Sequence, residues 1–271
     1  MTIECDTRTS GPVIVGLDGA ASGRDAFALG QRVAELLDAS VDVVTLSGRR
    51  PDDALRRTAE ARNASVVVLG PTRRRSLLAR TLRGTARRLL TNAPCPVVIA
   101  PEGFADRPDR PLRHVGVGFE PTPEGAVALA VAHRLAARAG GTLRAIGVGL
   151  PLSPLTIDHL RDREPFLEAE RRTVQAGLER ALAELPDDVP TTAEARVGDP
   201  AVELTAVSRD LDLLVCGSRG QGPLRAVLLG SVTERLLRGP GCPVAIVPRP
   251  AGQPRRRSRA MPPAVLRPPR G

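Results

Sequence analysis

Short apolar runs alternate along this chain with longer stretches of helical spacing, and the whole alternation occurs twice. The first copy opens on Pro12-Val13-Ile14-Val15-Gly16-Leu17-Asp18 and the second on His114-Val115-Gly116-Val117-Gly118-Phe119-Glu120. Apolar residues at consecutive positions, closed by an acid, predict a strand covered on both faces. Helical spacing follows each run. In the second copy Thr122 fits an N-cap, Pro123 the first turn, and Gly140 the close of the helix. In the first copy Ser22 takes the N-cap place and Arg24 to Leu37 carries the apolar stripe. A second strand is predicted at Val41 to Leu46 and at Leu143 to Val148.

The copies then diverge. The second runs through an amphipathic helix, Glu164 to Leu185, and a third strand, Thr192 to Arg196, where the first has only Ser47 to Arg50. Both resume with a helix opened by Asp and Pro, at Pro51-Asp52-Asp53 and Asp199-Pro200. A strand follows at Ser65 to Leu69 and Leu211 to Cys216, and a proline-framed strand ends each copy, Pro96 to Pro101 and Pro243 to Pro248. Strands alternating with helices predict an α/β fold: an open, parallel, five-stranded sheet flanked by helices, present twice, with the first copy reduced to about four strands. The predicted units are residues 1–105 and 112–250, with Phe104 to Leu112, rich in Pro and Asp, as a linker. Residues 251–271, mostly Arg, Pro and Gly, are expected to be a disordered tail.

Composition narrows the chemistry. Seven of the 39 basic residues lie in 249–271 without an acid among them, so 32 face 30 acids in the remainder of the 271-residue chain and the folded part is near balance. All 39 are Arg, which excludes every mechanism that needs a lysine, including the P-loop and kinase lysines and Schiff bases. Four Phe and no Tyr or Trp disfavour recognition of nucleic acid by base stacking, and the basic tail is open to two readings, a disordered solubilising segment or an element that touches nucleic acid or anionic membrane. Cys5, Cys95, Cys216 and Cys242 form no CxxC pair and His114, His133 and His159 do not cluster with them, so no zinc site is expected. Cys95 and Cys242 are expected to be small buried residues, and His114 and His133 structural. The segment Met1 to Pro12 has no apolar core of a signal peptide, no run is long enough to span a bilayer, and a reducing cytoplasmic setting is the expectation.

One loop stands apart. After the fourth strand of the second copy comes Gly217-Ser218-Arg219-Gly220-Gln221-Gly222-Pro223, and Gly230-Ser231 follow nine residues after Gly220. Glycines let backbone amides approach an anion, and Ser231-Val232-Thr233-Glu234 fits a capping box at the start of a helix. The loop would lie at the carboxyl end of a parallel strand, where open α/β sheets bind ligands. From the loop alone, phosphate binding and a plain glycine-rich strand-to-helix turn remain equally open.

The spacing Gly217-x2-Gly220-x9-Gly230-Ser231 resembles the nucleotide-binding signature of the universal stress protein family. The Glu120-Pro121-Thr122-Pro123-Glu124 helix start, the turn Val197-Gly198-Asp199-Pro200 and the ending Arg238-Gly239-Pro240-Gly241-Cys242-Pro243-Val244 are similar to that family too. The resemblance covers all of the second copy and, more weakly, the first. It implies strand order 3-2-1-4-5 and ATP, with Mg2+, at the strand ends. Gly217, Gly220, Gly230 and Ser231 match the phosphate-contacting positions, Glu120 the acid beside the nucleoside, and Val148 the strand whose backbone meets adenine. Thr122, Arg219, Val232 and Thr233 complete the implied site. Glu120 replaces the usual Asp and Pro121 a usual glycine, which crowds and stiffens the nucleoside pocket.

In the first copy Gly70-Pro71-Thr72-Arg73-Arg74-Arg75 stands where two glycines are expected, and Gly84-Thr85 falls one residue too far. The backbone cradle is lost there, and Arg73 to Arg75 are either a solvated basic loop or a side-chain grip on phosphate. The expected function is a cytoplasmic stress-response module that binds ATP in its second copy and hydrolyses it slowly, if at all. The alternative is a regulatory protein of the same fold that binds no nucleotide. Ser218 and Ser231 have no triad partners. The fold also resembles pyrophosphatases and ligases of a related ATP-binding superfamily, but their Ser-Gly-Gly-x-Asp-Ser loop after the first strand is replaced here by Asp18-Gly19-Ala20-Ala21-Ser22 and Glu120-Pro121-Thr122, so catalysis is not expected. The resemblance also implies that the two terminal strands pair within the chain. A further homodimer stays open.

Overall fold

Buried on both faces, the β-branched runs form the strands of one sheet, and the stretches with an apolar stripe form the helices that cover it. The computed structural model describes residues 11–17, 21–46, 50–71, 85–91, 93–107, 110–150, 163–218 and 231–248. The arginine-rich tail, Arg73 to Arg75, Cys5 and the middle of the glycine loop lie outside the described residues.

The first half contains β1 (Val13–Leu17), α1 (Ala21–Leu37), β2 (Val41–Thr45), α2 (Pro51–Ala61), β3 (Val66–Leu69), a helical segment α3 over residues 85–91, and β4 (Val97–Ile99). The second contains β5 (His114–Phe119), α4 (Pro123–Arg138), β6 (Thr142–Gly149), α5 (Glu164–Leu182), β7 (Thr191–Val197), α6 (Pro200–Val207), β8 (Leu213–Gly217), α7 (Ser231–Leu236) and β9 (Val244–Val247). Alternation along a strand separates the two faces. Val13 and Val15 of β1 enter one core beneath α1, whereas Ile14 enters the other with Leu55 of α2. Glycines in β5 admit close neighbours: a Cβ on Gly116 would lie 2.2 Å from Leu211 and one on Gly118 3.1 Å from Leu204.

The nine strands among the described residues form one sheet, ordered β2-β1-β3-β4-β9-β8-β5-β6-β7. The second half has the expected order 3-2-1-4-5, and the first has the same order without its third strand. Every ladder is parallel except the joint between halves, where β4 and β9 run antiparallel with Val97 opposite Ile246, Val98 opposite Ala245 and Ile99 opposite Val244. The terminal strands therefore pair within the chain. Both cores cross this joint, one through Val98 and Ala245, the other through Val97, Ile99, Val244 and Ile246. On the α1–α4 face the Arg138 guanidinium of the second half donates to the Leu37 carbonyl at the end of α1, 3.1 Å away, where a helix dipole favours a cation.

The Pro- and Asp-rich connection is anchored at both ends. Phe104 opens a single 3-10 turn, Phe104–Asp106, and is buried together with Leu112 in the α1–α4 core. Buried Asp25 of α1 accepts from the amides of Gly103 at 3.2 Å and Ala105 at 2.9 Å. Buried Asp212, before β8, accepts from the amides of Arg113 at 3.1 Å and His114 at 2.8 Å and from Arg110 Nε at 3.0 Å. Composition marked this segment as a linker, and its two apolar residues make it part of the core.

Several boundaries differ from the sequence reading. Helix α1 starts at Ala21, so Ser22 falls inside the first turn and not at the N-cap. Helix α5 ends at Leu182 and not Leu185, because Pro186 disfavours helical backbone at the residue before it. Leu211 and Asp212 are spent on the turn into β8, whose neighbour pairing starts with the Asp212 amide on the His114 carbonyl at 2.8 Å. Thr122 and Gly140 match expectation: the Thr122 hydroxyl accepts from the Gly125 amide at 3.0 Å, and Gly140 has φ of 55°.

Replacing Asp212 by Ala strands the Arg110 charge and two amides in a buried place, and a loss of about 3 kcal/mol is expected. Urea unfolding of Asp212→Ala against wild type measures it; a difference within error would show that the anchor carries no stability.

Candidate functional site

Strand β5 sits between β6 and β8, so the chain leaves it in opposite directions on its two sides. That makes its carboxyl end the switch point of the second half. The residues there follow from local chemistry. After Phe119 the backbone turns, with the Thr122 amide donating to the Glu120 carbonyl at 2.7 Å, and Thr122 caps α4 with Pro123 in its first turn. Gly125 is required by this turn, since a Cβ there would lie 2.0 Å from the Glu120 oxygen. Glu120 itself is exposed at the mouth.

On one side of Glu120, β6 runs beyond the ladder with β5, which ends at Phe119 opposite Gly147. Val148 and Gly149 therefore extend past the end of β5 while still paired outward with Arg196 and Val197 of β7. On the other side β8 ends at Gly217, where a Cβ would approach the Glu124 carbonyl to 3.3 Å, so the end of β8 passes against the first turn of α4. The Ser218 amide continues the ladder onto the Val247 carbonyl at 2.9 Å. Arg219, Gly220 and Gly230 lie outside the described residues. The described chain resumes at Ser231, the first residue of α7 rather than the residue before it. Val232 packs against the α6–α7 core and Thr233 is buried. Glu120, Thr122, Val148, Gly217 and Ser231 thus mark the ends of β5, β6 and β8 and the starts of α4 and α7.

Two ion-pair systems hold these ends. Glu194 of β7 accepts from Arg144 and Arg196, and Arg196 reaches on to Glu203 of α6 at 2.9 Å; the bond to Glu203 raises the Arg196 pKa above the usual guanidinium value. Asp199 caps α6 through the amides of Ala201 at 3.0 Å and Val202 at 3.2 Å, and also binds Arg235 of α7 at 2.6 Å. The Arg235 hydrogen bond, above the amide bonds, holds the Asp199 carboxyl below the ordinary carboxylate range. The same brace recurs in the first half, where Arg88 of α3 meets Asp52 of α2 at 2.9 Å. Neither brace had a signal in the sequence beyond an acid beside a proline and an arginine in the next helix.

The described histidines and cysteines each have a defined packing environment. His133 Nε2 lies 3.1 Å from both the Pro186 carbonyl and Asp188 Oδ1, partners distant in sequence and both acceptors, so this nitrogen carries the proton. His114 Nδ1 lies 3.2 Å from the Thr142 hydroxyl. Cys95, Cys216 and Cys242 are buried, and burial pushes each thiol up to about 12. Among the described residues no three His, Cys, Asp or Glu side chains gather to hold a metal ion, and no helix is long and apolar enough to cross a membrane.

The family model described as the universal stress protein family matches residues 24–101 and again 111–248, most of both halves. The chain belongs to this family. A universal stress protein of Mycobacterium tuberculosis is 31% identical over 186 residues, covering 68% of this chain and 61% of its own. Another from the same organism is 27% identical over 240 residues, 86% of this chain and 69% of its own. This universal stress protein thus spans about three fifths of the length of the first of these relatives. The crystal structure of a universal stress protein from Archaeoglobus fulgidus superposes on 92% of this chain and 100% of that one, with a TM-score of 0.59 at 14% identity, and shares the fold.

Asp199→Asn keeps a capping oxygen but removes the charge that pairs with Arg235. Since the folded pKa is depressed, the stability it contributes is present above the unfolded value and is lost as pH falls through the folded one. The pair is half exposed and worth less than about 1 kcal/mol. Denaturant midpoints should therefore separate variant from wild type at neutral pH and converge only in acid, below the depressed folded-state pKa. A gap that persists in acid would place the effect elsewhere.

Proposed function

We propose that this universal stress protein binds one ATP, with Mg2+, at the β5 switch point of its second half, and that occupancy of this site is the signal it passes to partners. The convergence of the β5, β6 and β8 carboxyl ends at the switch point carries the reading. Val148 and Gly149 offer main-chain groups beyond the β5–β6 ladder, suited to a purine edge. The exposed Glu120 carboxylate suits the ribose hydroxyls. Gly217 leaves no side chain between β8 and α4, and the spaced glycines that follow in the sequence suit the phosphates. Mg2+ bound there would neutralise charge on the phosphates and take its ligands mainly from them and from water.

The first half is proposed to be empty of nucleotide. Strand register sets the halves side by side: Val67 faces Val97 and Leu69 faces Ile99, as Leu214 faces Val244 and Cys216 faces Ile246. Counted onward without a gap, Gly70 matches Gly217, but Arg73 falls at the position of Gly220 and Arg83 at that of Gly230. Side chains stand in the sequence where the second half has bare backbone. With no lysine in the chain, nucleotide turnover should be slow or absent, which fits a sensor better than an enzyme.

Mg-ATP at about 100 times its dissociation constant should stabilise the protein by about 2.7 kcal/mol, visible as a rise in melting temperature. Gly220→Val and Ser231→Ala should lose the rise while Gly70→Ala keeps it. The chain has no Tyr or Trp, so co-purified nucleotide would dominate its ultraviolet absorbance. A folded protein that shows no shift at millimolar Mg-ATP and carries no nucleotide would instead support the reading as a nucleotide-free regulatory module.

A further inference from the structure

The helix and strand missing from the first half leave an apolar surface uncovered. Val13 faces Val41 and Val15 faces Val43, as Val115 faces Leu143 and Val117 faces Ala145, so Val43 stands where Ala145 stands in the other half. The same correspondence, counted without a gap, sets Phe27 of α1 on Leu129 of α4. Ala145 and Leu129 are 0% and 4% exposed, whereas Val43 and Phe27 are 48% and 40% exposed.

The second half shows what the cover is made of. Strand β7 pairs along all of β6 from Leu143 to Gly149. Helix α5 lies across the strand so closely that a Cβ on Gly147 would come within 2.6 Å of Val174. In the first half Thr45 stands in place of Gly147, and among the described residues no counterpart of α5 lies across β2. Among the described residues nothing pairs with the outer edge of β2, although two exposed large hydrophobic side chains belong to β2 and α1. Unprotected edges of this kind are usually covered.

We propose that a second copy of this chain covers this edge, β2 pairing antiparallel with β2 of the partner about a twofold axis at Val43. The terminal strands are consumed by the β4–β9 joint and are not free to join two chains. That joint shows that this sheet continues through an antiparallel edge with both cores carried across. A twofold axis at β2 repeats the arrangement and puts α1 of both copies on one face, with Phe27 and Val43 of each copy flanking the new joint. A single patch that meets itself is what a twofold interface requires. Charge excludes the register centred on Asp42, which would oppose two carboxylates, whereas a register centred on Val43 sets Asp42 opposite Val44 of the partner and Val41 opposite Thr45. Asp42 keeps Arg62 of its own chain at 3.7 Å. The opposite edge of the sheet suits pairing less, since β7 carries the Glu194 and Arg196 ion pairs and two exposed threonines.

Sedimentation equilibrium of the full chain at micromolar concentration reads the mass directly. Wild type and Thr192→Arg, a change on the β7 edge, should show twice the 28.6 kDa of one chain, and Val43→Arg should show 28.6 kDa while still melting cooperatively, at a temperature no longer dependent on protein concentration. On a Cys5→Ser background, Val43→Cys should oxidise to a covalent dimer that a reductant separates. A single-chain mass for wild type overturns the proposal, and includes the case in which the tail or a different protein covers the edge. A wild-type dimer that survives Val43→Arg, with no crosslink at Val43→Cys, also overturns it by placing the interface elsewhere.

Discussion

The structure depends on the antiparallel pairing of two short apolar strands, β4 and β9. Val97, Val98 and Ile99 face Ile246, Ala245 and Val244, and their side chains enter the cores on both sides of the sheet. Neither half could leave its terminal strand in water without exposing a row of backbone groups and several buried branched side chains. Joining them removes both edges at once and makes one nine-stranded sheet from two smaller ones. Because the joint is antiparallel and each half is internally parallel, the carboxyl ends of the strands point to opposite sides of the sheet in the two halves. Each switch point is therefore built by its own half, and one half can lose its ligand chemistry without disturbing that of the other.

The two halves have used this independence differently. Both keep the brace that ties the helix after the loop to the helix before the strand, Arg88 to Asp52 and Arg235 to Asp199. Both keep the joint strand. The first half has lost a helix and a strand, and at the positions of Gly220 and Gly230 it carries Arg73 and Arg83. It supports the sheet and offers an apolar outer edge, while the second half retains the glycines, the exposed acid and the extended β6 on which ligand binding would rest.

Much of this was legible before any coordinates. Consecutive apolar residues gave away the doubly buried strands, the proline frames bounded the two terminal strands while their pairing came from the family resemblance, and Thr122, Pro123 and Gly140 located α4 because capping is local chemistry. The candidate site was legible as spaced glycines, yet its brace was not. Asp199 and Arg235 are far apart in sequence, and only the packing of α6 against α7 brings them together. The anchoring of the connection between halves was hidden for a related reason. Proline and aspartate dominate its composition, but its behaviour is set by Phe104 and Leu112 and by two carboxylates, Asp25 and Asp212, that lie far away along the chain. Exposure of Val43 and Phe27 was hidden as well, since a missing element shows its consequence only when the surface it would have covered can be compared with its covered counterpart.

The central claim is that one half of a joined pair keeps a working nucleotide crevice and the other does not. Isothermal titration of Mg-ATP into the intact chain tests it most directly, because stoichiometry counts crevices. The account predicts one nucleotide per chain. Two per chain would show that the arginine-bearing loop binds as well, and none would show that the crevice at β5 serves another purpose.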